Sequence, residues 1–267
     1  MEQGRTSVGQ RVRWRTLISP PADGAENMAI DDALLDRART TRECVVRLYE
    51  WARPTLSLGR NQTARGHYDL EKARDLGVGF VRRQTGGRAV LHHREMTYSV
   101  TGPADLLGTL RESYARVNGL LLEALGRLGV MASVAARRAR APLPGLAPCF
   151  DLPGEGELVL GEQKLVGSAQ WRDEGAFLQH GSILVDDDQA LANQLLCTPT
   201  TPPPPSATLR TALGHAPSTA DLAVALADAL VTMEDAEASP LVVDRALEQR
   251  IATARTHFLD DQWTWRR

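Results

Sequence analysis

The sequence predicts an α+β fold, with a central mixed, mostly antiparallel sheet and flanking helices. Short runs of β-branched and apolar residues alternate with turn residues over much of the chain. The links between these runs are too short for repeated helical crossovers, which favours hairpins and antiparallel pairs over a doubly wound parallel sheet. A few longer segments carry apolar residues at helical spacing, as helices packed on a sheet do.

Three helices and eight strands account for these patterns. The helices are predicted over 26–39, 106–128 and 218–233, and the last begins with Ser218 and Asp221 placed as a capping box. The strands are predicted at 44–51, 55–58, 78–82, 89–91, 97–100, 157–160, 165–169 and 182–185.

The composition bounds the function classes. The 267 residues, 43% hydrophobic and 24% charged, are ordinary for a globular chain of one large or two small domains. A net charge of -2 argues against a protein that coats nucleic acid. There is no apolar run of about 18 residues and no signal peptide, so we expect a cytoplasmic protein without a membrane partner. The three cysteines are widely spaced, which favours reduced thiols and no metal site.

A proline-rich stretch interrupts the chain at 198–206, where four consecutive prolines cannot continue a helix or a central strand. We expect these prolines to form a stiff connector between a larger N-terminal part and a helical C-terminal part. Residues 236–267 are expected to form a C-terminal appendage, whose end either docks through Trp263 and Trp265 or is disordered.

Lysine is scarce. Of 31 basic residues only Lys72 and Lys164 are lysine, which leaves 29 arginines. A lysine retained in such a chain is more often one whose chemistry a guanidinium cannot supply, because an ammonium is compact and can lose its proton. Lys164 lies in a predicted hairpin after Cys149, a cysteine among prolines and glycines that indicate a loop. Cys44, within an apolar strand, is interpreted as core.

Two further segments are candidates for a ligand pocket. The stretch RRQTGGRAVLH begins at Arg82, and its paired glycines either lie along a ligand or form a hairpin turn; taken alone, the hairpin is favoured. Gly167, Ser168 and Ala169 leave space beside their strand. His180, next to Gly181, is a base, a pocket wall or a structural group, and we favour the last two.

Together these motifs resemble a known family. NMAIDDALL, RPTLSLGRNQ, VRRQTGGRAVLHHREMTYSV, CFDLPGEGELV, GEQKLVGSAQWR and LQHGSILV, in this order, resemble the biotin/lipoate protein ligase superfamily and, within it, its cysteine-dependent octanoyltransferases. The resemblance covers roughly 13–235 and implies a catalytic domain over these residues, with the proline-rich connector inside it. It also implies the α+β fold shared with class II aminoacyl-tRNA synthetases. His93 departs from the family pattern, which commonly has Asp there.

The resemblance implies transfer of an octanoyl group from octanoyl-acyl carrier protein to a lysine of a lipoyl-domain protein, such as the glycine-cleavage H protein. A thioester on Cys149 would be the intermediate, Lys164 would act as a cation or a base, and no cofactor would be needed. The alternatives are an ATP-dependent lipoate or octanoate ligase and a non-catalytic binding module. Arg82, Arg83 and Arg88 are candidates to meet the acidic carrier partners or the phosphopantetheine phosphate. The expected substrate-binding set is Arg83, Thr85, Gly86, Gly87, Arg88, Ala89, Val90, His92, Gly167, Ser168, Ala169, His180 and Gly181.

Overall fold

The structure, a computed structural model, describes residues 12–136, 156–198, 200–201 and 203–267. In chain order the elements are β1 (Arg13–Ile18), α1 (Gly24–Thr41), β2 (Glu43–Tyr49), β3 (Thr55–Leu58), α2 (Leu70–Asp75), β4 (Gly79–Arg82), β5 (Val90–His92), β6 (Glu95–Pro103), α3 (Leu110–Arg127), β7 (Ser133–Val134), β8 (Leu158–Leu160), β9 (Gln163–Asp173), β10 (Ala176–Leu184), α4 (Ala190–Gln194), α5 (Leu209–Leu213), α6 (Thr219–Met233), β11 (Ser239–Pro240), α7 (Arg245–Phe258) and α8 (Asp261–Thr264).

An eight-stranded mixed sheet forms the centre, in the order β11-β1-β2-β6-β10-β9-β8-β7. β1 is parallel to β2 and β11, whereas the other neighbours in this sheet are antiparallel. The predicted fold class is therefore confirmed. No helix within the described stretches is long and apolar enough to cross a membrane.

Helices cover both faces of this sheet, as the alternation of side chains along β2 illustrates. Cys44, Val46 and Leu48 point into the main core with α3 and α6. Val45 and Tyr49 point to the opposite face, in clusters shared with α1 and α7. The charged Arg47 lies on the α1 face, fully buried, and this face also carries the pocket described below.

A second, three-stranded sheet has the order β4-β3-β5, with β3 parallel to β4 and antiparallel to β5. The TGG stretch links β4 to β5, which are not neighbours, so the hairpin interpretation favoured from the sequence is wrong. The link instead crosses the end of the middle strand, where the carbonyl of Thr85 accepts from the N–H of Arg60. Glycine is a hairpin signal only between paired strands, and pairing is not visible locally.

The predicted helices are present with shifted ends. α6 has the expected capping box of Ser218 and Asp221. α3 begins later than predicted, because Thr109 and Glu112 form a capping box there. Strands β6, β9 and β10 extend beyond their predicted apolar runs, since buried polar residues continue their pairing.

The C-terminal residues pack against the rest of the chain. β11 pairs with β1, and α7 contacts α1. Trp263 donates from Nε1 to the carbonyl of Arg82, 2.8 Å away, and Trp265 packs on the core of the small sheet. These contacts bring the end of the described chain to the glycine-rich link.

Candidate active site

A pocket of about 440 Å³, including its mouth, lies between the α1 face of the main sheet and the small sheet. Nine residues of the predicted substrate-binding set line it. They are Arg83, Gly87, Val90, His92, Gly167, Ser168, Ala169, His180 and Gly181. Sequence segments that lie about 80 residues apart are thus brought to one cavity.

The other predicted members lie behind this lining. Thr85 is buried against His180, and Ala89 is buried in the core of the small sheet. The carbonyls of Gly86 and Arg88 both accept from Nη2 of Arg83, at 2.8 Å. These four residues shape the loop from behind instead of lining the cavity.

Glycines permit close backbone approach within each wall of the pocket. A Cβ at Gly59 would overlap the carbonyl oxygen of Gly87, and one at Gly181 would overlap that of Gly167. Gly87 also has a φ of +96°, a backbone conformation that residues other than glycine rarely adopt. Neither wall can therefore tolerate a side chain at these points without moving backbone.

A buried carboxylate, Asp31 of α1, organises the floor of the site. Its Oδ1 accepts from Nη1 of Arg47 at 2.8 Å, and its Oδ2 lies 3.2 Å from Nδ1 of His180. Ser99 and Tyr49 also donate to it, at 2.7 and 3.0 Å. Burial raises the pKa of Asp31, but Arg47 and His180 lower it more, so the group is held ionised.

These contacts fix the hydrogen-bond polarity of His180. Burial lowers its pKa despite the opposing effect of Asp31, so the imidazole is neutral near pH 7. Its Nδ1 faces a carboxylate and carries the proton, which leaves Nε2 as an acceptor. The Oγ1 of Thr85 lies 2.6 Å from Nε2 and itself accepts from Nε of Arg83 at 3.2 Å, so its proton points to the histidine.

A second chain of hydrogen bonds, again joining a carboxylate, an imidazole and a hydroxyl, lies across the pocket. Nδ1 of His92 is 3.1 Å from Oε1 of Glu95, and its Nε2 is 2.8 Å from Oγ of Ser57. Ser57 accepts from Nη1 of Arg83 at 3.1 Å. The His92 ring also stacks on Trp51, with centroids 4.0 Å apart.

Arg83 is the group common to both arrays. Its side chain is buried and donates to one hydroxyl on each side, as well as to backbone carbonyls of the link. Because a guanidinium only donates, both hydroxyl protons are directed toward imidazole Nε2 atoms. The two pocket histidines are thereby engaged at both nitrogens, which fits the wall or structural role favoured for His180 over that of a base.

Lys164 lies on β9, buried, with Nζ 2.7 Å from Oε1 of Glu157. Glu157 lines a separate groove between α3 and the start of β8, and Ser168 lines both that groove and the pocket. The lysine is thus on the groove side of the strand that walls the pocket. Cys149 lies outside the described residues.

The sequence did not single out Asp31, Arg47, Ser57 and Glu95. One signal was available, because Arg47 is a lone charge inside the apolar run CVVRLY and a buried charge requires a partner. His93, the departure from the family pattern, lies with Nδ1 2.7 Å from Oδ2 of Asp188. Across the part of the chain that is described, His, Cys, Asp and Glu form no group of three or more suited to a metal.

Comparison with known proteins decides the family. The family model described as lipoyl protein ligase A/B catalytic domain matches residues 23–231. The chain belongs to this family. It is 43% identical over 179 residues to the octanoyltransferase LipM of Carboxydothermus hydrogenoformans, a match that covers 66% of each chain. It is 44% identical over 187 residues to the LipM of Kyrpidia tusciae, covering 67% of this chain and 68% of that one.

Solved structures agree on the fold. A lipoate-protein ligase A bound with ATP superposes with a TM-score of 0.76 at 20% identity, covering 96% of this chain and 99% of the other. A bipartite lipoate protein ligase of Thermoplasma acidophilum, studied with its E2 lipoyl domain, gives 0.75 at 20% identity, with 96% and 97% covered. At this identity the likeness establishes architecture and leaves the reaction to other arguments.

Proposed function

We propose that the chain transfers an octanoyl group from octanoyl-acyl carrier protein to a lysine of a lipoyl-domain protein, in protein lipoylation. The observation that carries this is the pocket whose walls are the TGG link and the GSA segment of β9. Relatives 40–44% identical, all named octanoyltransferase LipM, support the acyl group and the reaction class. The glycine-cleavage H protein is the acceptor we propose.

The pocket lining suits a saturated acyl chain. Met28, Trp51, Val90 and Ala169 give it apolar surface, and its glycines admit the chain close to backbone. Burying the seven alkyl carbons of an octanoyl group at about 0.8 kcal/mol per carbon would contribute roughly 6 kcal/mol before ordering costs. Shorter acyl groups lose this in steps of nearly fourfold per carbon, which gives the site selectivity for length.

The proposed chemistry has two steps. The thiolate of Cys149 attacks the carbonyl carbon of the octanoyl thioester, and the carrier's thiolate leaves with the electron pair and takes up a proton. The neutral amine of the acceptor lysine then attacks the new thioester, the amide forms, and Cys149 leaves as thiolate while the amine nitrogen loses its proton. The first step is nearly isoenergetic and the second is downhill, so no nucleotide is consumed.

Lys164 is proposed as the cation beside this chemistry. A nearby ammonium favours the thiolate and offers a hydrogen bond to the carbonyl oxygen as negative charge develops there. Its ion pair with Glu157 supports the cationic role over that of a general base. The histidines of the pocket are engaged at both ring nitrogens, which also leaves the reacting atoms to other groups.

Intact-protein mass spectrometry tests the proposal. Mixing the protein with octanoyl-acyl carrier protein should add the mass of one octanoyl group, and Cys149→Ala should abolish the adduct. Incubation with octanoate, ATP and magnesium, and with a lipoyl-domain acceptor, tests the ligase alternative. Transfer that needs ATP and survives in Cys149→Ala would replace the transferase by a ligase.

A further inference from the structure

Arg60 lies at the rim of the pocket and is not part of the hydrogen-bonded groups around Asp31 and Glu95. Arg60 follows β3, and its N–H donates to the carbonyl of Thr85 at 2.8 Å, so it directly adjoins the TGG link. Its guanidinium lies 4.2 Å from the ring centroid of Trp171. Trp171 is two residues from the pocket-lining Ala169 and therefore on the same face of β9. Arg60 thus lies beside both the TGG link and β9, next to the residues that line the pocket.

More arginines extend this rim toward the C-terminal residues. Arg266 lies 4.3 Å from the ring centroid of Trp263, and its Nε donates to the carbonyl of Arg60 at 3.2 Å. Arg65 donates from Nε to the carbonyl of Trp265 at 2.9 Å. The backbone N–H of Arg65 donates to the main-chain oxygen of Arg267, at 2.7 Å. We call the following four residues the rim arginines: Arg60, Arg65, Arg266 and Arg267.

The rim arginines have no Asp or Glu side chain within ion-pair distance in the described part of the protein. Many other arginines of the surface do, such as Arg15 with Glu43, Arg42 with Asp105 and Arg255 with Asp23. The guanidiniums of Arg60, Arg65 and Arg266 are instead held by indole rings or carbonyl oxygens, which fix their position without cancelling their charge.

The guanidiniums of this group also repel one another, although burial is the larger cause of the pKa shifts. Burial, followed by the positive charges of Arg266, Arg267 and Arg83, lowers the pKa of Arg82 to about 10. The pKa of Arg266 is also lowered, by burial and then by Arg60 and Arg267. In a chain with a net charge of -2, this concentration of one sign at the pocket mouth is a local feature.

We propose that the rim arginines, with Trp171 and Trp263, dock the acidic surface of the carrier protein that donates the acyl group. This inference rests on the proposed function and names the surface where the donor is received. Carboxylates of the carrier complement the guanidiniums, and the two indoles offer apolar contact beside them. The acceptor fits this rim less well, because its reacting lysine brings an ammonium that four arginines repel.

The sequence suggested Arg82, Arg83 and Arg88 for this role, and the first two are buried. The guanidinium of Arg82 is buried and donates to the carbonyls of Gly59 and Gln62. That of Arg83 is buried at the pocket wall. Arg82 therefore supports the loop that carries the rim, and the rim itself is positioned to meet a macromolecule.

The test compares two octanoyl donors with three variants. The donors are octanoyl-acyl carrier protein and the octanoyl thioester of N-acetylcysteamine, which is small and uncharged. The variants are Arg60→Glu, Arg65→Glu and the control Arg245→Glu, an exposed arginine at the far end of α7 with the same change in charge. The rate of adduct formation on the protein is followed by mass spectrometry.

With the carrier donor, the second-order rate constant of adduct formation should fall about tenfold in each rim variant and less than about twofold in the control. The difference between the rim variants and the wild type should shrink near 0.5 M salt. With the small donor, all three should match the wild type. If the rim variants match the control with the carrier, or lose activity equally with both donors, the docking surface is refuted. If the wild type is acylated by neither donor, the proposed function itself fails, which is a distinct result.

Discussion

Replacing Asp31 by asparagine tests the buried array beneath the pocket. Asn has nearly the same shape but carries no charge, and one of its two polar atoms donates instead of accepting. Asp31 now accepts four hydrogen bonds, from Arg47, Ser99, Tyr49 and His180. If Oδ1 of the asparagine still accepts from Arg47, its side-chain NH₂ group must point at Tyr49 and His180.

The expected loss of stability follows from Arg47. Its side chain is 0% exposed, and Asp31 is its only ion-pair partner within the described residues. Breaking a buried pair by neutralising one member costs about 3–5 kcal/mol, because the remaining charge is left uncompensated. Hydrogen bonds from Arg47 to Ser19 and Asn27 remain, which places the expected loss nearer ~3 kcal/mol. That is a large share of the roughly 5–15 kcal/mol that stabilises a typical domain.

Urea denaturation at pH 7 measures the loss, with Asp105→Asn as the control. Asp105 pairs with Arg42 at 2.9 Å, but the side chains are 65% and 45% exposed, so its replacement should cost about 0–1 kcal/mol. Nitrogen NMR of the imidazoles should show His180 change from the Nδ1–H to the Nε2–H tautomer in Asp31→Asn. Equal losses in the two variants would refute the argument that the buried charge is what matters.

Three further outcomes are expected. The free energy of unfolding should fall by up to about 1.4 kcal/mol per pH unit as the pH drops below ~6.5. Burial lowers the pKa of His180, so in this range the unfolded chain takes up a proton that the folded chain does not. Denaturation at several pH values measures the effect, and a free energy of unfolding that does not change with pH contradicts it. Gly181→Ala should cost about 1–3 kcal/mol, since its Cβ overlaps backbone, whereas Gly126→Ala, in a helix with open space, should be neutral or stabilising by calorimetry. Lys164→Arg should slow formation of the octanoyl adduct by about 10²-fold or more, and wild-type rates would remove Lys164 from the chemistry.

Short-range sequence patterns predicted the helices, whose contacts lie close together in the sequence. The capping box of Ser218 and Asp221 and the apolar spacing behind it located α6, because helix contacts lie within a few residues. The placement of β4 beside β3, not β5, could not be read in this way, since pairing depends on segments brought together by the fold. The favoured hairpin failed there for that reason.

The pocket lining followed from residue chemistry, but its supporting charges did not. Gly87, Gly167 and Gly181 stood out because a missing side chain is visible in the sequence. Asp31 did not, because it sits in an amphipathic helix where an acidic residue ordinarily faces solvent. Only the partner strand, with Arg47 pointing at the same helix, makes that carboxylate a buried one.

The contacts of Arg82 tie residues far apart in the sequence to one point of the fold. Its guanidinium donates to the carbonyl of Gly59 and to that of Thr264, a residue 182 positions further along the chain than Arg82. A buried polar group without a partner is costly, so a chain shortened before Thr264 would leave Nε of Arg82 unsatisfied beside the glycine-rich link. Trimming α8 should therefore disturb the pocket loop, although no residue of that helix lines the pocket.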